Sequence, residues 1–186
     1  MFHGPLFARL RITDSAGKEV TMIATEKLIE GMNQQVGHEM AASMQYVAIA
    51  SYFDGRSLPK LAEFFYAQAE EEREHAMKFQ KFIVDAGGSL ALPAIPAPQC
   101  GFEDAREAVA LALSSEERVT QQIYELVDQG NKDNSHIAVR FLDWFVNEQF
   151  EEVTTMSELL DVVSMAGEDR LLSIEEYLER RPAEAE

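Results

Sequence analysis

A proline-rich stretch, residues 87–103, constrains the topology of this chain more than any other segment, because it separates two pairs of long helical segments. It contains Pro93, Pro96 and Pro98, and this spacing of prolines is incompatible with a helix. At about 3.3 Å per residue, such a linker reaches about 55 Å, whereas a helix of about 27 residues is about 40 Å long. The linker can therefore run the whole length of a helical bundle, and we expect the helices on either side of it to be parallel.

From Thr25 onward, apolar residues recur at spacings of three and four, which is typical of amphipathic helices. The first predicted helix spans about 25–54, and the second begins with Ser57 as N-cap and stops before Gly87. The third spans about 104–129 and is closed by Gly130, the fourth runs from 133–135 to 166, and a short fifth covers about 168–180. The short turns after the first and third helices favour antiparallel neighbours. We therefore predict an all-α fold, a four-helix bundle with a long crossover from the second to the third helix and a short fifth helix.

The two ends of the chain lie outside this helical pattern. Residues 1–22 form a variable N-terminal extension, in which alternating residues around 14–17 are compatible with a hairpin and equally with disorder. Residues 23–180 form one domain, and we expect the tail 181–186 to be frayed.

Each of the four long helices carries an acidic residue near the middle of its apolar face. These residues are Glu39, Glu72, Glu116 and Glu152. A single glutamate of this kind is most simply interpreted as a side chain that reaches water at the edge of the core. Because the helices have similar lengths, however, the four acids should meet at one level of the bundle. Buried carboxylates are costly without a compensating charge, so the set favours a bound cation.

His75 follows Glu72 by three residues, which places an imidazole and a carboxylate on the same helical face. Oxygen-rich ligands with one nitrogen and no thiolate suit iron or manganese better than structural zinc. Tyr46 lies two turns after Glu39 on the same face. It is either a core aromatic or a donor of an electron and a proton to oxygen bound at a metal pair.

A second acidic group, Glu71, Glu148 and Glu151, falls just off the apolar faces. Two interpretations remain open for it: a third cation position, or a solvated surface.

The charge of the chain restricts its partners. A formal net charge of −17 argues against nucleic acid and anionic membranes as partners. A single cysteine, Cys100, cannot form an internal disulfide and suits a reducing cytoplasm, where we expect the protein to be. The apolar stretches are too short for a transmembrane helix.

Four segments together resemble the ferritins, and most closely the prokaryotic non-haem ferritins. The segments are residues 39–46, 71–75, 116–119 and 144–152, within a resemblance that covers about 24–178. The resemblance implies a ferritin-like domain at 23–180 that assembles as a hollow shell of 24 subunits. It also implies that iron(II) is oxidised by oxygen or hydrogen peroxide and stored inside the shell as a ferric mineral.

The same resemblance implies a ligand set for this ferroxidase centre. Glu39, Glu72 and His75 match the first iron site, and Glu72 bridges to a second site completed by Glu116 and by Glu152 or Gln149. Glu71, Glu148 and Glu151, with Glu152, match a third iron site, and Tyr46 matches the tyrosine beside the centre.

Two departures from related families narrow the interpretation. Bacterioferritins carry a haem-binding methionine directly after the position of Glu72, where this chain has Arg73, so we expect no haem. Bacterioferritins also have a second Glu-x-x-His on the fourth helix, whereas Glu152 of this chain is followed by Val-Thr-Thr. We therefore expect no symmetric, permanent di-iron cofactor. The alternatives are a di-iron oxidase or peroxidase of the rubrerythrin kind, a DNA-protecting mini-ferritin, and an acidic helical bundle without redox chemistry.

Overall fold

The computed structural model describes residues 11–13, 19–21 and 23–180. Its helices are α1 (Glu26–Asp54), α2 (Pro59–Asp85), α3 (Ala105–Lys132), α4 (His136–Ala166) and α5 (Leu171–Arg180), with a 3₁₀ turn at Glu168–Arg170. Two short strands, β1 (Arg11–Thr13) and β2 (Glu19–Thr21), pair antiparallel with Ile12 opposite Val20. The two strands lie in the segment for which the sequence leaves a hairpin and disorder open, and that choice stays a prediction for the extension as a whole. The rest of the extension and the tail 181–186 lie outside the described residues.

Side-chain caps set the starts of α1 and α3. The Thr25 hydroxyl accepts a hydrogen bond from the Leu28 N–H at the start of α1, and the Asp104 carboxylate accepts one from the Glu107 N–H at the start of α3. The Thr25 hydroxyl also donates to the Asp133 carboxylate. The start of α1 is therefore tied to the turn between α3 and α4.

The predicted cap of α2 is wrong. Leu58 occupies the N-cap, and Ser57 has a left-handed φ of 60° in the preceding turn. Glu175 on α5 takes over the capping role: its carboxylate accepts hydrogen bonds from the Lys60 N–H at 2.7 Å and the Leu61 N–H at 3.0 Å. A long-range carboxylate therefore satisfies the helix donors that a local serine was expected to satisfy.

The predicted end of α3 at Gly130 is also wrong. Gly130 lies inside the helix, which continues to Lys132. The left-handed residue that ends it is Asn134, with φ of 55°. Gly130 is buried, and a Cβ at this position would press against the Val139 side chain of α4, which would have to shift.

The linker between α2 and α3 runs along α1, as its length predicted. The Asn33 side chain accepts from the Ala91 N–H at 2.7 Å and donates to the Ser89 carbonyl at 3.1 Å. About three turns later, Gln45 accepts from the Gln99 N–H at 2.9 Å and donates to the Gln99 carbonyl at 2.8 Å. These two amides hold the linker against α1, so the bundle has the single long crossover expected of it.

The apolar core is divided into two clusters by the level of the acidic residues. One cluster is centred on Phe53, Phe65 and Leu159, and the other on Met32, Phe79 and Phe145. Within the described residues, no helix combines the length and apolar content needed to cross a lipid bilayer. The two clusters fix the four long helices on both sides of the polar layer.

Candidate metal centre

Each long helix contributes one buried carboxylate to the layer between the two apolar clusters. Glu39 and Glu116 are 0% exposed, Glu72 is 1% exposed and Glu152 is 5% exposed. Each lies near the middle of its helix, at the level between the two apolar clusters. The structure therefore brings the four acids to one level, as the similar helix lengths predicted.

Glu39, Glu72 and His75 form a buried group whose ligand atoms all lie within 4.8 Å of one another. The Glu72 Oε2 atom lies 3.5 Å from His75 Nδ1, so the three-residue spacing does place both on one face. Two carboxylates and one imidazole at this separation are compatible with one divalent cation.

His75 also belongs to a second group, with Glu148 and Glu152, whose ligand atoms again lie within 4.8 Å of one another. Its Nε2 atom is 3.7 Å from Glu148 Oε1. The imidazole ring contacts the rings of Trp144 and Phe145 at 5.5 Å and 5.8 Å between centroids. These aromatic contacts fix the ring so that its two nitrogens face different carboxylates.

Glu116 is held by neutral donors. The Tyr46 hydroxyl donates to Glu116 Oε1, and Gln149 Nε2 donates to Glu116 Oε2 at 3.1 Å. Gln149 also donates to the hydroxyl of Thr120 at 3.3 Å. Tyr46 and Gln149 are both buried, so they fix the Glu116 carboxylate within the polar layer.

Burial dominates the titration of these acids. It raises the pKa of Glu39 and Glu116 above the ordinary value of 4.5. It raises the pKa of Glu72 well above that value, with the negative charges of Glu116, Glu39 and Glu152 adding to the effect. The pKa of Glu148 is lowered, mainly through its contact with the His75 imidazole. Burial therefore disfavours the ionised form of these carboxyl groups, an effect that a bound cation would offset.

Three of the candidate ligand atoms make no hydrogen bond of good geometry within the described residues: Glu39 Oε2, Glu72 Oε2 and His75 Nδ1. The Glu39 and Glu72 carboxyl groups are close enough to satisfy each other only if one of them is protonated. Buried polar atoms without partners are rare in folded proteins, and they commonly indicate a missing ion or water. These atoms belong to the same group of candidate ligands, which fits a cation.

The remaining predicted ligands lie at the edge of this layer. Glu71 is exposed, and its carboxylate accepts a hydrogen bond from Gln68; Glu151 is exposed as well. Glu148 is half-buried and is the member of this trio that meets His75 and Glu152. Of these three residues, Glu148 belongs to a candidate metal group among the described residues, whereas Glu71 and Glu151 do not.

One contributor to the layer is absent from the sequence-based assignment. Gln35 is 1% exposed and donates from Nε2 to Glu39 Oε1 at 3.0 Å. Its position one helical turn before Glu39 is the signal that could have identified it. His38, the residue before Glu39, is half-buried, and its Nδ1 lies 3.3 Å from Gln35 Oε1. Burial and the nearby Arg118 charge lower the pKa of His38.

Comparisons with known proteins agree with this architecture. A family model described as a ferritin-like domain matches residues 29–166. The chain is 41% identical over 155 residues to Ferritin BfrB of Mycolicibacterium smegmatis, covering 83% of this chain and 84% of that protein. It is 35% identical over 144 residues to a bacterial non-heme ferritin of Staphylococcus saprophyticus, covering 77% and 86%. A solved open-pore ferritin from Archaeoglobus fulgidus superimposes with a TM-score of 0.82 at 30% identity, covering 86% of this chain and 98% of that chain.

Proposed function

Because this chain belongs to the ferritin family, whose function is iron storage, we propose that it oxidises iron(II) at a di-iron ferroxidase centre inside its helical bundle. The ferric product is stored as a mineral within a shell of 24 subunits. Iron is thus the substrate and the cargo of the protein.

The buried group of Glu39, Glu72 and His75 carries this proposal. Its candidate ligand atoms include three buried atoms that make no hydrogen bond within the described residues, in a layer where burial already raises the pKa of the carboxyl groups. A pair of divalent cations would compensate the charge of four carboxylates in the same layer. Hard carboxylate oxygens stabilise iron(III) more than iron(II), so this environment favours oxidation.

We assign the ligands as follows. The first iron(II) binds to Glu39, Glu72 and His75, and the second binds to Glu72, Glu116 and either Glu152 or Gln149. The third position is assigned to Glu148 and Glu152, with Glu71 and Glu151 at its edge. Tyr46, which donates a hydrogen bond to Glu116, orients that ligand.

The reaction needs two electrons, and two iron(II) ions supply them by becoming iron(III). Dioxygen takes up the two electrons and two protons to give hydrogen peroxide, and peroxide as oxidant gives two molecules of water in the same way. Holding both ions in one site makes the two-electron step possible without a free radical product. The raised pKa values of the carboxyl groups mean that iron binding releases protons into the same layer.

The experiment is to add iron(II) in air and to follow the absorbance of the ferric product. We expect the double variant Glu72→Ala/His75→Ala to lose at least about 100-fold in initial rate, because it removes the bridging ligand and the imidazole of the site. Tyr46→Phe, which keeps the ring, should slow oxidation by a smaller factor.

The matched control is Glu70→Ala/Glu74→Ala, which removes two exposed glutamates from the same helix. It should oxidise iron(II) at the wild-type rate. A wild-type chain without oxidation, or a double variant as fast as this control, contradicts the ferroxidase assignment.

Assembly is tested separately by size-exclusion chromatography with light scattering. The chain has a mass of 20.9 kDa, so a shell of 24 copies has a mass of about 500 kDa. A dodecamer or a dimer as the stable species contradicts this part of the proposal.

Specific residues argue against two other functions. A rubrerythrin-like oxidase needs a second Glu-x-x-His, and the buried residue three positions after Glu152 is Thr155. A DNA-protecting mini-ferritin places its ligands between subunits, whereas both candidate groups here lie within one chain. The net charge of −17 also opposes binding to DNA phosphates.

A further inference from the structure

We propose that Gln35 is a positioning residue of the metal centre, which holds Glu39 so that one carboxylate oxygen faces the cation, and that His38 fixes the orientation of Gln35. The inference rests on the proposed function insofar as Glu39 is taken as a metal ligand. Gln35 contacts the proposed ligand Glu39, and His38 contacts Gln35. Neither residue is assigned as a metal ligand.

The Gln35 side chain is almost completely buried. A primary amide that is 1% exposed must satisfy both its donor and its acceptor within the protein. Its Nε2 atom donates to Glu39 Oε1 at 3.0 Å. Its Oε1 atom lies 3.3 Å from His38 Nδ1, which can donate to it when that nitrogen carries the proton. Each polar end of the amide therefore has one partner.

The two oxygens of the Glu39 carboxylate have different surroundings. Gln35 occupies Oε1, while Oε2 has no protein donor among the described residues. Glu39 also belongs to the buried group with Glu72 and His75. With one oxygen engaged by an amide, the carboxylate is prepared to bind a cation through the other oxygen alone. A hydrogen-bond partner of this kind orients a ligand and commonly changes metal affinity by about 10–100-fold when removed.

The contact with His38 fixes the orientation of the Gln35 amide. Without a donor on its oxygen side, Gln35 could rotate and present Oε1 to the Glu39 carboxylate, which would be repulsive. The His38 contact opposes that rotation. His38 lines an external cavity of about 420 Å³ between α1, the linker and α3, so this chain of contacts runs from the surface to Glu39.

The test uses cobalt(II) without oxygen, because this ion does not undergo the iron reaction and its visible spectrum reports coordination number. Gln35→Leu should weaken cobalt(II) binding about 10-fold and should lower the intensity of the visible bands, since Glu39 becomes free to bind through both oxygens. His38→Leu, at a half-buried position, should shift both quantities in the same direction by a smaller factor. Gln34→Leu, an exposed amide on the same helix, is the matched control and should leave both unchanged.

The outcomes separate this inference from the proposed function. If Gln35→Leu and His38→Leu both bind cobalt(II) with wild-type affinity and spectrum, the positioning role is overturned even where iron oxidation is normal. If the wild-type chain binds cobalt(II), the variants shift as expected and iron(II) is not oxidised, the ferroxidase function fails and the positioning role stands. Because Gln35→Leu leaves a buried carboxylate oxygen without its donor and could impair folding, His38→Leu then decides the result alone.

Discussion

Glu72→Gln should make the metal-free protein more stable while removing most of its stabilisation by metal. The pKa of Glu72 is raised by burial and by the charges of Glu116, Glu39 and Glu152, so its ionised form destabilises the folded state at neutral pH. Glutamine has the same shape without the charge. We expect a gain of roughly 1–3 kcal/mol in the free energy of unfolding after chelator treatment.

The opposite effect is expected when metal is present. A ligand at 100 times its dissociation constant stabilises the wild-type fold by about 2.7 kcal/mol. An amide in place of the proposed bridging carboxylate should abolish most of this gain. The measurement is denaturant unfolding with chelator and with added cobalt(II), for the wild type and for the variant.

Glu74→Gln is the control, because it makes the same chemical change at an exposed position of α2. It should alter stability by less than about 0.5 kcal/mol under either condition. If Glu72→Gln destabilised the metal-free protein, the carboxylate would be a structural hydrogen-bonding group, and the interpretation of the polar layer as a site prepared for cations would be wrong.

Metal-free stability should also fall as the pH rises through the raised pKa values of the buried acids. The pKa values of Glu39, Glu72 and Glu116 lie above the ordinary 4.5 in the folded protein. Between 4.5 and those raised values, the folded state binds more protons than the unfolded state. Their contribution to the free energy of unfolding is therefore fully present below pH 4.5 and is lost as the pH rises through the folded values.

Glu72→Gln provides the comparison for this prediction, because it removes one of the three groups without changing the surface. Over the window above pH 4.5, the wild-type free energy of unfolding should fall more steeply with pH, by up to about 1.4 kcal/mol per unit for the missing group. Cobalt(II) binding should release protons in the same window, as measured by calorimetry in buffers of different ionisation enthalpy. Equal slopes for the two proteins, or metal binding without proton release, would contradict the assigned direction of these pKa shifts.

Much of the fold could be predicted from local patterns. The spacing of apolar residues locates the four long helices, and the length of the proline-containing linker requires the crossover. The predicted N-cap Ser57 was wrong because the Glu175 carboxylate on α5 caps α2. The predicted helix end at Gly130 was wrong because this glycine lies inside α3, packed against Val139 of α4. Local capping rules apply to neighbours in sequence, whereas these contacts join residues on different helices.

The acids that form the polar layer were also predictable, because each interrupts a periodic apolar face. Gln35 was not assigned, since a polar residue one turn from a ligand is equally compatible with a solvated position. Only the structure shows that it is buried and that it contacts Glu39. The two groups that share His75 likewise depend on the rotation of one imidazole between Trp144 and Phe145.

The sequence alone therefore determined which helices form, how they connect and which acids share one level, because periodicity and linker length are properties of the chain itself. The tertiary structure decided which oxygen of Glu39 accepts a hydrogen bond and which carboxylates lie beside His75. It also decided that a carboxylate on α5 caps the start of α2. These choices depend on distances of a few ångströms between residues far apart in sequence, and the packing of the two apolar clusters sets those distances.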